Sequence, residues 1–151
     1  MAFGLGDLER IAADDHHLAV VSTTRADGSV QSSVVNAGLL EHPVSHEPVV
    51  GFATYGRTKL DNLRERPRAT LVFRAGWQWG AVEGRTEIAG PDDDLPGFDS
   101  TGLPGLPGLL RAVFVAAGGT HEDWATFDRV MAEERRAVVL VHPDRVYSNR
   151  A

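Results

Sequence analysis

The chain has 151 residues and no cysteine. Disulfides, thiolate nucleophiles and thiolate metal ligands are therefore excluded. Apolar runs are short, and none approaches the roughly 20 residues that a membrane-spanning helix needs. The sequence does not open with a signal peptide. Nucleotide and hydrolase signatures are missing as well. No Gly-x-Gly-x-x-Gly follows a strand, no Gly-x-x-x-x-Gly-Lys-Ser/Thr is present, and no Gly-x-Ser-x-Gly elbow occurs. Serine, histidine and acid nowhere fall in positions that suggest a triad. Cations are outnumbered, 15 against 21 acids, for a net charge of −6. That balance argues against a nucleic-acid surface, which needs clustered cations. The expectation is a soluble, cytoplasmic protein with no membrane or nucleic-acid partner. If it is an enzyme, a bound cofactor carries the chemistry and the chain positions it.

What is there is ordinary for a globular domain: 42% hydrophobic and 24% charged residues. The length suits one domain spanning 1–151 with a sizeable core. Leu5 to Ala13 has apolar residues at helical spacing. His17 to Thr24 and Val30 to Leu40 read as strands joined by a turn at Ala26-Asp27-Gly28-Ser29. Pro48 to Thr54, Thr70 to Phe73 and Gln78 to Ile88 follow as strands. Strands joined mostly by short turns predict an antiparallel barrel. Gly90 to Gly102 reads as loop, Leu109 to Ala117 as helix, and His121 to Arg136 as an amphipathic helix. Ala137 to Val141 and Arg145 to Ser148 are the last strands.

One cation type is nearly missing: Lys59 is the only lysine. It lies in the stretch Gly56 to Phe73, which reads as a turn, a short helix stopped by Pro67, and a strand. Thr58 suits the helix N-cap. Between Arg57 and Arg74 six cations face two acids, in an otherwise acidic chain. Arg57 and Lys59 stand at the helix start, where the macrodipole is already positive and acids are preferred. A solvated basic helix is one reading. The other is a clamp for a phosphate, since free N–H groups at a helix start make an anion site.

Two further features are candidates. On the strand Val30 to Asn36, Gln31, Ser33 and Val35 share one face, while Ser32, Val34 and Asn36 share the other. This is either an edge strand with a wet face or a surface for a flat polar heterocycle. Trp77 and Trp79 point the same way in a regular strand, as a core or dimer contact or as a wall over a ring system. Metal is not expected. His42 and His46, flanked by Glu41 and Glu47, lie in a loop, and no second pair has the spacing to complete the roughly three protein ligands of a catalytic zinc. Asp92-Asp93-Asp94 reads as a solvated loop without the calcium-loop pattern.

The succession of these pieces resembles the pyridoxamine 5'-phosphate oxidase-like split β-barrel flavoproteins, and within them the actinobacterial branch that uses the deazaflavin coenzyme F420. The resemblance rests on Gly56-Arg57-Thr58-Lys59-Leu60-Asp61-Asn62-Leu63 with Arg66-Pro67-Arg68-Ala69, on Trp77 and Trp79 leading into Val82-Glu83-Gly84, and on Arg145-Val146-Tyr147-Ser148. It implies a mainly β fold, a six-stranded antiparallel split β-barrel with flanking helices that binds a flavin or deazaflavin. It implies a homodimer with two cofactor sites between the subunits. Arg57, Lys59 and Asn62 would hold the cofactor phosphate, and Thr54 would reach the ribityl or phosphate region. Gln31, Ser33, Val34, Val35 and Asn36 would line the ring, and Trp77 and Trp79 would come from the partner. The implied activity is hydride transfer from reduced F420 to a small unsaturated organic substrate, with Gly90 to Gly119 covering it. The alternatives are an FMN-dependent oxidoreductase of the same superfamily and a non-catalytic protein binding a flavin, a deazaflavin or a haem-like ligand.

Overall fold

The computed structural model describes residues 2–149. In chain order its elements are α1 (Leu5–Asp14), β1 (Leu18–Thr24), β2 (Val30–Glu41), β3 (Pro48–Thr54), α2 (Arg57–Glu65) and β4 (Arg68–Ala75). There follow β5 (Gln78–Ala89), α3 (Gly105–Ala116), α4 (Trp124–Glu133), β6 (Ala137–Val141) and β7 (Arg145–Ser148). The strands pair antiparallel in the order β4-β1-β2-β3-β6-β5, and β4 pairs with β5 to close a six-stranded barrel.

The barrel is split because its two longest strands each change partner midway. Residues 30–36 of β2 pair with β1, whereas residues 37–41 pair with β3. In β5, residues 86–89 pair with β6, and residues 80–83 carry β7 on the same side after the break at His142-Pro143-Asp144. Closure leaves few free strand edges, and those that remain mark where something else must sit.

Alternation along the strands sorts side chains into two cores. Val50, Phe52, Val139 and Val141 point into the barrel with Val21, Leu71, Phe73 and Val82. The intervening Val49, Val138 and Leu140 point outward, where Leu109, Leu110 and Val113 of α3 and Phe127 of α4 cover them. All of β6 is therefore buried, which accounts for its uninterrupted apolar sequence. Leu60 and Leu63 of α2 and Leu8 and Ile11 of α1 join the barrel core.

The expected elements are present, with shifted boundaries at three helices. Thr58 is not an N-cap: α2 starts two residues earlier behind Gly56, whose N–H donates to Thr54 Oγ1 at 3.0 Å. Helix α3 begins at Gly105, within the short tandem repeat Leu103-Pro104-Gly105-Leu106-Pro107-Gly108, because Pro107 falls in the first turn where no N–H is required. Helix α4 begins only at Trp124, because the Asp123 side chain accepts from Thr126 N at 3.1 Å and caps it there.

Candidate functional site

Where β2 leaves β1 for β3, its edge at residues 34–36 has no strand beside it. β3 ends at Thr54 and turns into α2, and α3 and α4 stand opposite. Between them opens a cleft of about 710 Å³, lined by Val34, Val35 and Asn36 of β2 and by Thr54, Tyr55 and Gly56. This volume lies within the usual range for organic ligands, about 300–1,000 Å³.

One end of the cleft is cationic. Lys59 is buried, with its Nζ 3.4 Å from Thr54 Oγ1 and 5.7 Å from the centre of the Phe52 ring. It makes no ion pair with any described residue. Burial, reinforced by the nearby Arg136 charge, pushes the Lys59 ammonium below its ordinary pKa. Arg136 lies over the Tyr55 ring at 4.1 Å and lines the same cleft. Helix α2 has neither a side-chain cap nor an acid in its first turn. A buried cation without a carboxylate costs several kcal/mol. Arg136 is paired with Glu134 at 3.0 Å, but the unpaired Lys59 and an uncapped helix start converging on one cavity suit an anion from outside the chain.

The other end is apolar. Val113 and Phe114 of α3 face Phe127, Val130 and Met131 of α4 across it. The Phe114 and Phe127 rings pack at 4.9 Å. Arg111 Nε donates to Asp128 Oδ1 at 2.9 Å and clips the two helices together. Gly38 seats this wall: a Cβ there would stand 2.0 Å from the Ala116 carbonyl oxygen, so only glycine lets α3 approach β2 this closely. Within the segment expected to cover the substrate, the expected helix is present as α3 and forms one wall of the cleft.

Of the residues singled out by sequence, Val34, Val35, Asn36, Thr54 and Lys59 come together at the cleft. The others lie elsewhere in this single chain. Arg57 is exposed at the start of α2. Asn62 is buried one turn beyond Lys59 on the same side of α2, where its Nδ2 donates to Thr23 Oγ1 at 3.1 Å, and the Thr23 hydroxyl donates to Gln31 Oε1 at 3.2 Å. Gln31 and Asn62 thereby tie α2 to β1 and β2. Ser33 points into the barrel, paired with Val21, and its buried Oγ has no hydrogen-bond partner among the described residues. Trp77 sits in the β4–β5 turn and is 95% exposed. Trp79 meets Tyr147 edge-on at 6.2 Å.

The outward face of β2 is the surprise. Val34, Val20, Val72, Ala81 and Tyr147 form one register row across five strands. Val34 is 63% and Val20 43% exposed. The polar Gln31 and Ser33 turn inward and the valines outward, the reverse of what polarity alone suggests.

Sequence spacing also missed a cluster at the far end of the sheets. His42 Nε2 lies 2.9 Å and His142 Nε2 2.6 Å from Glu87 Oε1. Residues so far apart in the chain carry no local signal; the pairing of β5 with β6 brings Glu87 to His142, and the pairings of β2 with β3 and β3 with β6 bring His42 to both. The donor set is one that metals use. Here, however, the backbone N–H groups of Val44 and Ser45 both donate to His42 Nδ1, which leaves the ring proton on Nε2. His42 therefore donates to Glu87 and offers no lone pair there. Burial raises the Glu87 pKa, but the hydrogen bonds from His142 and His42 outweigh it and hold the carboxyl below its ordinary value.

The sequence profile of the pyridoxamine 5'-phosphate oxidase family matches residues 9–101. No curated protein matches the chain in sequence. Solved structures with this fold differ in what they bind. The chain is 17% identical to an F420 reductase, over 97% of this chain and 98% of that one, with a TM-score of 0.58. It is 12% identical to a pyridoxamine 5'-phosphate oxidase-related, FMN-binding protein from Nostoc punctiforme, over 98% and 86%, with a TM-score of 0.59. It is 15% identical to a heme-binding protein from Mycobacterium smegmatis, over 98% and 55%, with a TM-score of 0.60. Likeness at these identities shows the fold and leaves the ligand to the residues themselves. No helix among the described residues is long and apolar enough to cross a membrane.

Proposed function

The chain belongs to the pyridoxamine 5'-phosphate oxidase family, and from that membership we propose that it is an oxidoreductase that binds reduced coenzyme F420 and reduces a small unsaturated organic substrate. The observation that carries this reading is the buried, acid-free Lys59 at one end of a cleft whose other end is walled mainly by apolar side chains. An elongated ligand with a phosphate at one end and a flat ring at the other matches that polarity. Lys59, Arg136 and the first N–H groups of α2 would hold the phosphate, and the Thr54 hydroxyl would sit beside it. The edge of β2 at Val34–Asn36 would meet the ring. Asn36 Nδ2 donates to the His16 carbonyl at 2.9 Å, which leaves its Oδ1 to accept a ligand N–H. Arg57 and Asn62 take no direct part within one chain.

When bound, the deazaflavin supplies a hydride. The chain's own share is to fix the phosphate end, hold the ring between β2 and the α3–α4 wall, and keep water away with Val113, Phe114 and Phe127. The exposed valine row supports a second copy of the chain as the partner, in a homodimer. The exposed Trp77 and the half-buried Trp79 are then available to the partner's cleft. FMN carries the same phosphate-and-ring polarity and is the competing cofactor.

The test is a side-by-side fluorescence titration with F420 and FMN at physiological salt. F420 binding that weakens about ten- to hundredfold in Lys59→Ala supports the reading, the loss expected for one charge-assisted contact of about 1.5–3 kcal/mol. Tight FMN binding with no response to F420 would sink it in favour of a flavin oxidoreductase. F420 binding without turnover across a broad panel of acceptors would leave a carrier.

A further inference from the structure

The cleft does not end at Phe114. Asn36, Phe114 and Ala117 also line a second crevice of about 410 Å³, with the exposed His16 and with His17 and Gly118 among its other walls. One side chain there is poised without a visible task. His17 Nε2 lies 2.7 Å from Glu9 Oε1. An ionised carboxylate only accepts, so Nε2 donates to it and Nδ1 is left over. His17 is 12% exposed, and its Nδ1 has no hydrogen-bond partner among the described residues. A Cβ on Gly118 would stand 2.7 Å from Nδ1, so glycine at that position keeps the nitrogen uncovered.

The backbone beneath is strained. His16 and His17 have φ of 57° and 56°, the left-handed region that residues other than glycine seldom adopt. Three hydrogen bonds hold them there: His17 N to Ala12 O at 2.8 Å, Ala37 N to His17 O at 2.9 Å, and Asn36 Nδ2 to His16 O at 2.9 Å. Strain held in place beside a cavity is a pointer to function.

We infer that this crevice is the substrate pocket of the proposed cofactor site, and that His17 Nδ1, steadied by Glu9, binds the one polar atom of a small, otherwise apolar conjugated ketone. The crevice sets the enclosed Nδ1 of His17, with the exposed His16 ring at its edge, against the apolar surfaces of Ala13, Phe114 and Ala117, which suits such a molecule. The inference rests on the cofactor reading for its chemistry, in which reduced deazaflavin is the reductant. In its charged form the His17 ring donates from both nitrogens. As hydride reaches the β-carbon of the ketone, the C=C pair becomes the second bond between the α-carbon and the carbonyl carbon, and the C=O pair moves onto oxygen. That oxygen takes the Nδ1 proton, water returns one to the ring, and the resulting enol reverts to the saturated ketone by gaining a proton at the α-carbon and losing the one on oxygen to water.

The experiment uses 2-cyclohexen-1-one as probe and nitrogen-15 NMR of histidine-labelled protein, with and without F420. A saturable shift of the His17 ring resonances, with His121 of the main cleft unmoved, is the expected result. Ala13→Trp, which fills the crevice from an exposed position, removes that shift and leaves the F420 Kd within about twofold. His17→Asn keeps a polar atom where Nδ1 stood, suits the left-handed backbone and retains probe binding. His17→Gln keeps the reach to Glu9 but lowers kcat/KM at least about tenfold. A shift confined to His121, no shift at His17 with F420 bound, or probe binding that survives Ala13→Trp overturns the inference. Failure of F420 to bind the unmodified protein overturns the cofactor reading instead, and the His17 shift in cofactor-free protein separates the two.

Discussion

Lys59 Nζ lies 3.4 Å from Thr54 Oγ1, and that hydroxyl is its only hydrogen-bond partner among the described residues. A buried ammonium held by one neutral oxygen is under-solvated. It lowers the stability of the empty protein and gains a counter-charge when an anion binds. Lys59→Met is therefore expected to raise the stability of the cofactor-free protein by about 1 kcal/mol, the scale of a function-for-stability exchange. The same substitution abolishes most cofactor affinity. Thermal melts and fluorescence titration of one variant read both effects. A variant that loses stability in the empty state contradicts the account.

The lowered Lys59 pKa sets a pH dependence with a definite sign. In the cofactor-free protein the folded state releases this proton more readily than the unfolded state, whose lysine titrates near 10.5. Between the lowered value and 10.5 the unfolded chain binds more protons, so stability rises with pH across that window. Below it the penalty is fully present. Cofactor affinity runs the other way. A bound phosphate requires the ammonium, so affinity starts to fall as pH climbs through the lowered value rather than at 10.5. Titrations across alkaline pH should show that fall in the unmodified protein and none in Lys59→Met.

Much of this was legible in the sequence, for identifiable reasons. The strands announced themselves by alternation and by turn residues, so the barrel and nearly all strand boundaries follow from local pattern. Lys59 stood out because it is the only lysine and lies at the wrong end of a helix dipole. The inward turn of Ser33 was not legible, because polarity points it to solvent, whereas the register row through Val34 and Val20 sends the valines outward. The role of Asn62 was hidden as well. It shares the buried side of α2 with Lys59, but one turn of rise carries it past the cleft to Thr23. The Glu87 cluster depended on strand pairings that no window of sequence contains.

The outward valines bear on assembly. An apolar row left open on a monomer is a partner site. With the homodimer as the proposed assembly, Val34→Arg together with Val20→Glu is expected to convert dimers to monomers in sedimentation velocity. Trp79→Ala leaves the dimer intact but weakens cofactor binding by about tenfold, the worth of one aromatic wall. If Val34→Arg/Val20→Glu remains dimeric, the interface is elsewhere.

Glu87 offers a test far from the cleft. Its carboxyl is held below 4.5 by His142 and His42. A depressed folded value means a contribution present above 4.5 and lost as pH falls through the lowered pKa. Glu87→Gln is expected to be less stable than the unmodified protein at neutral pH, by about 1–2 kcal/mol for a partly exposed pair of charge-assisted bonds. The two proteins should converge in acid denaturation as the pH drops below the carboxylate range. Equal stability at pH 7 would mean that the clamp contributes nothing.

Gly38 connects the fold to the cleft and can separate the two ends of the site. A methyl group at this position would overlap the Ala116 carbonyl and come within 2.7 Å of Ala117 N. Because these are backbone atoms, no side-chain rotation relieves the clash, and the end of α3 must move off β2. Overpacking of this kind costs about 1–3 kcal/mol. Phe114 and Ala117 ride on that end of the helix, whereas Lys59 and Thr54 do not. Gly38→Ala is therefore expected to loosen ring binding while sparing the anion end. Inorganic phosphate should protect Gly38→Ala against thermal unfolding as much as it protects the unmodified protein, whereas the affinity for the whole cofactor falls. If phosphate protection is lost as well, the cationic pocket depends on α3, and the two ends of the cleft are not independent.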